Sequence, residues 1–385
     1  MINFDVKELE FYDKTRDLVT ENHSSVKSIK TFPVYEFDNK EYIFKPISKT
    51  KPLNTPLFSY SEVFWSYVIN KYFNSDAPLY TLAECKGMEK NNPKYYDKGV
   101  LVESIAQNGK KLLNLYDYYL SNPDDKVNIK DYENYCMMSY DYTKILESDL
   151  FKDEKRRKDV IEEILLSYLR EDQNFHYENI NLYEDTIEVA PPIDFEFSLP
   201  FLFADDDTER MYESVLYEES MLIDKNIDSV KRNNKIIEML GNYRNWTYNK
   251  DNLIYIAEND REEVEDFIEK LDAFTSCLPN IEFNDNNNYI TPFNSKSWEM
   301  YSALYKENDK EKYEELKSKI VYHELNKEKY FDDLKSHILR YSKRYSDTLK
   351  GLVVASKEGI EVTRDTNIEK ILESASEKSK TYILK

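Results

Sequence analysis

Asp172-Gln173-Asn174-Phe175-His176-Tyr177-Glu178-Asn179, then Ile180-Asn181-Leu182-Tyr183, Glu184-Asp185, Thr186-Ile187-Glu188-Val189 and Ala190-Pro191-Pro192-Ile193-Asp194, is the stretch on which the reading of this chain turns. Its middle is a hairpin pattern, two short apolar runs separated by an acidic pair suited to a turn. Pro191 and Pro192 close the second run, because proline has no N–H for a strand ladder. An antiparallel hairpin begins and ends at one edge, so Asn179 and Asp194, which flank it, are predicted to meet at one mouth. An amide oxygen and a carboxylate placed together are hard oxygen donors of the kind Mg²⁺ prefers.

Just upstream, Val160, Ile161, Ile164, Leu165, Tyr168 and Leu169 recur with helical period, predicting an amphipathic helix that runs into the irregular segment 170–179. Further back, Val34-Tyr35-Glu36-Phe37, a turn at Asp38-Asn39-Lys40, and Glu41-Tyr42-Ile43-Phe44-Lys45 predict a β-hairpin, with Pro46 stopping its second strand. Ser61-Glu62 is read as the opening of a helix through Val63, Phe64, Tyr67, Val68 and Tyr72, ended by Asp76-Ala77-Pro78. Two more strands come next, at Leu79 to Glu84 and Gly99 to Ser104. From about Lys110 the pattern is mainly helical, with acidic Asp205-Asp206-Asp207, an Asn/Asp-rich loop at Asn284 to Asn288, and charged helix from about Lys296 interrupted once near Gly351. The expectation is an α+β chain with a β-rich N-terminal lobe, 1–106, and a large helical lobe, 107–385, of which 290–385 is a C-terminal extension.

Composition narrows the function. Lys and Arg number 53 against 74 Asp and Glu, a net charge of −21, which repels nucleic-acid backbones and anionic membranes. The 33 Tyr and 19 Phe are too many for a disordered chain. Only 6 residues are Gly, and their spacing excludes the Rossmann and Walker phosphate loops and the serine nucleophile elbow. Cys85, Cys136 and Cys277 are scattered, predicting buried thiols in a reducing compartment and no zinc site. His323 and His337 are too far apart on helical sequence to share a metal. No basic segment leads an apolar one at the N-terminus and no apolar run approaches membrane-spanning length, so a cytoplasmic location is expected.

Lys45 on a strand, Glu62 on the next helix, Asn179 after a loop and Asp194 after a hairpin are the residue types that phosphoryl transfer requires. Taken singly, each has an ordinary explanation as a solvated lysine, a helix-start acid, a turn residue or a cap; their order is what argues for a site. In Tyr42-Ile43-Phe44-Lys45-Pro46, Ser61-Glu62-Val63-Phe64, Asn174 to Asn179 and Ala190 to Ser198, the chain resembles the HipA-like serine/threonine kinases over roughly residues 20–200. The resemblance implies a two-lobed protein-kinase-like fold using ATP and Mg²⁺. Lys45 would hold the α- and β-phosphates, Glu62 would hold Lys45, and Asn179 and Asp194 would bind metal. Leu101-Val102-Glu103 would be the hinge that meets adenine, with Val102 and Glu103 at its end. The phosphate loop falls at Asn22 to Ser28, where Ser24, Ser25 and Lys27 stand in place of glycines; a serine of this loop, Ser24, Ser25 or Ser28, would be an autophosphorylation site.

The family pattern Asp-x-His-x-x-Asn aligns Asn174 with the catalytic base and His176 with a loop-shaping histidine. An amide cannot take the hydroxyl proton. A two-residue insertion puts Asp172 in that role instead, and Asp172 is the preferred base. The resemblance further implies a Ser/Thr protein substrate and a toxin of a toxin–antitoxin pair with a small antitoxin partner. A pseudokinase scaffold and a small-molecule or lipid kinase are the alternatives.

Overall fold

The computed structural model describes residues 2–11, 15–17, 31–48, 56–73, 75–92, 95–106, 110–122, 127, 142–172, 175, 177, 179–193, 195, 250–285, 290–292, 310–320, 322–324, 327–363 and 366–373. The N-terminal part holds β1 (Ile2–Asn3), β2 (Lys7–Glu10), β3 (Thr15–Asp17), β4 (Thr31–Phe37), β5 (Lys40–Ser48), α1 (Pro56–Tyr72), β6 (Tyr80–Lys86), α2 (Met88–Asn91) and β7 (Tyr95–Glu103). Six of these strands form one sheet in the order β2-β6-β7-β5-β4-β3, antiparallel except for β2 beside β6.

The hairpin of β4 and β5 closes between Phe37 and Lys40, with Asp38 and Asn39 both left-handed at φ 53° and 62°. A two-residue turn that matches strand twist needs this conformation, and Asp and Asn tolerate it in the absence of glycine. Pro46 does not end the second strand: β5 continues to Ser48 across an irregularity in register, with Pro46 opposite Gly99. Gly99 is obligatory there, because a Cβ would lie 2.1 Å from the Lys45 carbonyl oxygen. The helix predicted from Ser61 begins earlier, at Pro56, a residue suited to the first helical position. Ser61 and Glu62 therefore lie within α1, and both are buried.

The remainder is mainly helical. It comprises β8 (Leu112–Asn114), α3 (Leu115–Ser121), α4 (Thr143–Leu146), α5 (Glu154–Leu169), β9 (Asn181–Tyr183), α6 (Lys250–Asn259), α7 (Arg261–Cys277), β10 (Phe283–Asn284), β11 (Ile290–Pro292), α8 (Lys310–Lys319), β12 (Tyr322–Glu324) and α9 (Lys327–Glu358). α1 packs one face on β6 and β7 and sets Trp65 and Phe73 against Phe274 and Phe267 of α7. The larger of two apolar clusters among the described residues runs from Phe32 and Ile43 in the sheet through α1 and α5 to Leu352 in α9, and a smaller one gathers Leu9, Tyr35, Phe44, Cys85 and Leu101. The sheet and the helices therefore share one buried interior, an α+β architecture with its strands concentrated at the N-terminus.

Short strands also tie distant parts of the chain together: β1 pairs in parallel with β10, and β11 with β12. α9 runs straight through Gly351, where the sequence predicted a break; the glycine serves close packing there, since a Cβ would meet Ile368 Cγ2 at 2.2 Å. The break falls at Gly359, with φ 65°. Cys85 is buried as expected, whereas Cys277 is exposed at the end of α7; Cys136 and Asp205 to Asp207 lie outside the described residues. Among the described residues no helix is long and apolar enough to cross a membrane.

Candidate functional site

β5 presents Lys45 opposite Val100 of β7, and α1 brings Glu62 beneath it. Lys45 Nζ lies 2.8 Å from Glu62 Oε1, with the glutamate side chain 3% exposed and the lysine 22%. A carboxylate that is so buried needs its cation, because removing one partner of a buried pair costs about 3–5 kcal/mol. The lysine, held from inside and partly open outside, can face an incoming anion.

Phe195 ties this pair to the downstream segments. Ser61, next to Glu62, donates its hydroxyl to the Phe195 carbonyl at 2.6 Å. The Phe195 ring is fully buried, packs on Tyr80 at 5.7 Å, and lies under the Arg170 guanidinium at 4.7 Å. Arg170 in turn donates from Nη2 to Asp172 Oδ2 at 2.8 Å. Three segments therefore meet at Phe195: the helix carrying Glu62, the end of α5, and the chain that follows Asp194 in sequence.

α5 ends in a Schellman turn, with the Asp172 N–H bonded to the Ser167 carbonyl and the Glu171 N–H to that of Tyr168. Glycine usually takes the left-handed position of this turn; here Glu171 does, at φ 49°. Its carboxylate reaches His337 Nε2 of α9 at 2.9 Å. Asp172 comes next at 3% exposure, its Oδ2 engaged by Arg170. Downstream, the Tyr142 hydroxyl donates to the Phe175 carbonyl at 3.3 Å, and the Tyr142 ring meets Tyr177 edge-on. Asn252 holds Tyr142 in place by accepting its N–H.

The predicted hairpin is present in compressed form. β9 pairs with β8, while the return arm is reduced to a bridge between Leu182 and Val189. Ile187 in the left-handed region and the two prolines leave no room for a full strand. The Ala190 N–H still bonds the Asn181 carbonyl at 2.8 Å, so the two ends of the hairpin lie side by side. Asn179, at its start, is half-buried, and its carbonyl accepts from the Asn181 amide. Among the described residues no three His, Cys, Asp or Glu side chains converge as metal ligands. Asn179 suits Mg²⁺ by its hard oxygen donor, in a site that substrate oxygens would complete.

At the predicted hinge, Val102 lies within the sheet between Ile43 of β5 and Tyr80 of β6. Glu103 is the last ladder residue, and its carboxylate pairs with Lys40 at 3.0 Å. The chain leaves the sheet at Ser104, whose N–H bonds the Glu41 carbonyl. Ser24, Ser25, Lys27, Asn174, His176 and Asp194 lie outside the described residues. Sequence reading gave no site role to Arg170, to His337 or to Glu163, which is buried in α5. Arg170 alone had a signal, as a cation where a periodic helix runs into the loop.

No protein-family model and no curated protein sequence matches the chain. Among solved structures, the chain aligns with the crystal structure of the Helicobacter pylori proinflammatory kinase CtkA at 14% identity and a TM-score of 0.37, over 80% of this chain and 90% of that one.

Proposed function

We propose that the chain is an ATP-dependent kinase of the HipA-like type that transfers the γ-phosphoryl group to a Ser or Thr hydroxyl. The observation that carries this reading is the Lys45–Glu62 pair at 2.8 Å, joined through Ser61 to the residue beside Asp194. Lys45 binds the α- and β-phosphates, Val102 and Glu103 border the adenine, and Ser24, Ser25 and Lys27 cover the phosphates. Asn179 and Asp194 hold Mg²⁺, which when bound supplies charge neutralisation to the phosphoryl oxygens. Asp172 orients the acceptor hydroxyl and takes its proton once the Arg170 pair yields, with Asn174 and His176 shaping the loop around it. A small antitoxin-like protein partner and a cytoplasmic setting complete the proposal; the net charge of −21 argues against direct nucleic-acid contact.

A second reading, a nucleotide-binding scaffold without transfer, is favoured by one observation: Asp172 is buried and already bound to Arg170. Incubation with radiolabelled ATP and Mg²⁺ or Mn²⁺ separates the two. The kinase reading expects label on the chain or an added protein acceptor, with loss of about 10²–10⁴-fold in Asp172→Ala. Full transfer in Asp172→Ala removes Asp172 from the base role. Nucleotide binding without transfer, regained in Asn174→Asp, identifies the scaffold.

A further inference from the structure

A cleft of about 760 Å³ lies outside the Lys45–Glu62 pair. It lies between the chain leaving β7 (Glu103 to Ile105), the turn after α1 (Ser75 to Leu79), the outer face of α5, and the hairpin arm ending at Pro192. Lys45, Glu62, Asp172 and Asn179 do not line it; Glu103, proposed above to border the adenine, does, with its carboxylate engaged by Lys40. Its volume falls in the range of small-molecule sites.

Its charge is unbalanced in a specific way. Three lining acids are matched within the protein: Glu103 by Lys40, Glu162 by Lys270 and Glu188 by Lys155. Asp76, Asp159 and Glu163 make no ion pair with any described residue, and among the described residues Lys110 is the single lining cation left over from those pairs. Glu163 is the decisive member. It is 4% exposed, lines the cleft, and its Oε2 has no hydrogen-bond partner among the described residues. A buried carboxylate oxygen left unsatisfied is costly, and native proteins rarely keep one without a ligand or function to meet it. The Lys110 ammonium already sits 4.3 Å from the centre of the Tyr183 ring, so this wall attracts a cation. The acid surplus excludes a nucleotide triphosphate. The volume far exceeds what a bare metal ion needs.

We propose that this cleft binds a small organic cation, an alkylammonium or alkylguanidinium compound, with its charged head against Glu163 and Asp159 and its stem along Tyr183 and Leu79. The inference does not depend on the kinase reading. Burial pushes the Glu163 carboxyl up to about 8, with Arg170 opposing and Asp172 and Asp159 adding to the rise. An arriving cation replaces the proton, so binding strengthens from about pH 6 to about pH 8.5 and releases a proton at neutral pH.

The test is titration calorimetry of the full chain with spermidine and with agmatine at low salt, in buffers of different ionisation heat. One molecule is expected per chain, with buffer-dependent heat from the released proton and affinity at least tenfold weaker in Glu163→Gln. Glu328→Gln makes the same substitution at an exposed acid on α9 outside the cleft and is expected to leave affinity unchanged. Asp159→Asn is the second variant should Glu163→Gln fail to fold, with the same weakening expected. Absence of binding to the wild type, equal affinity in the cleft variants and the wild type, or equal weakening in Glu328→Gln overturns the proposal.

Discussion

α5 and α9 end in the same turn and spend very different amounts of free energy on it. At the end of α9, the Ile360 N–H bonds the Ala355 carbonyl and the Gly359 N–H that of Ser356. Gly359 takes the left-handed position at φ 65°, with nothing within 4 Å of where a Cβ would be. At the end of α5 the same two bonds form around Glu171, a residue for which that conformation costs about 1–2 kcal/mol. The difference lies in the chain beyond each turn. Gly359 leads into a surface segment; Glu171 leads into Asp172 and the loop to Asn179. Glycine would relax the turn, but it could not reach His337. The chain accepts backbone strain where a side-chain anchor fixes the direction of the chain into Asp172, the proposed base.

α5 also carries the larger burden of the two in its middle. Glu163 keeps its proton up to a pH of about 8 in the folded chain, against an ordinary value of 4.5 when unfolded. Between those values the folded state binds the extra proton, so stability falls as pH rises. Glu163→Gln removes this loss and gives the largest stabilising effect of the variants considered: negligible near pH 4.5 and about 3 kcal/mol at pH 7. Melting of both proteins at the two pH values checks it, and an equal difference at both would contradict the buried-charge account.

Next in size is Glu171→Ala, which keeps the left-handed strain and loses the His337 contact. A destabilisation of about 1–2 kcal/mol, with weakened phosphoryl transfer, is expected by denaturant unfolding and by assay. Glu171→Gly sharpens the comparison, because it should restore stability to within about 1 kcal/mol of wild type while transfer remains impaired. If transfer recovers with stability, the His337 anchor has no role in the loop. Smallest is Gly359→Ala, expected to cost about 1 kcal/mol and leave nucleotide binding untouched.

The sequence made legible what depends on local pattern. The Asp38-Asn39 turn, the helix carrying Glu62, the strand carrying Lys45 and the hairpin after Asn179 all come from periodicity and turn chemistry. Pro46 misled because a proline at an irregular pairing position does not stop a strand when the opposite residue, Gly99, lets the backbones close up. Gly351 misled because small size at a helix crossing reads in sequence as a helix break. Glu171–His337 and Ser61–Phe195 span 166 and 134 residues, and no local signal announces such partners. Glu163 was invisible for another reason: on an amphipathic helix an acid reads as solvent-facing, and only the packing around α5 buries it.

The central claim is that Lys45, seated on Glu62, is a nucleotide phosphate ligand. Titration of an ATP analogue with Mg²⁺ into the wild type and into Lys45→Met, each first shown to be folded by circular dichroism, tests it directly. The account predicts micromolar-range binding by the wild type and at least tenfold weaker binding by the variant, which keeps an unbranched apolar stem and loses the charge. No binding by the wild type, or equal affinity in the two, would contradict it.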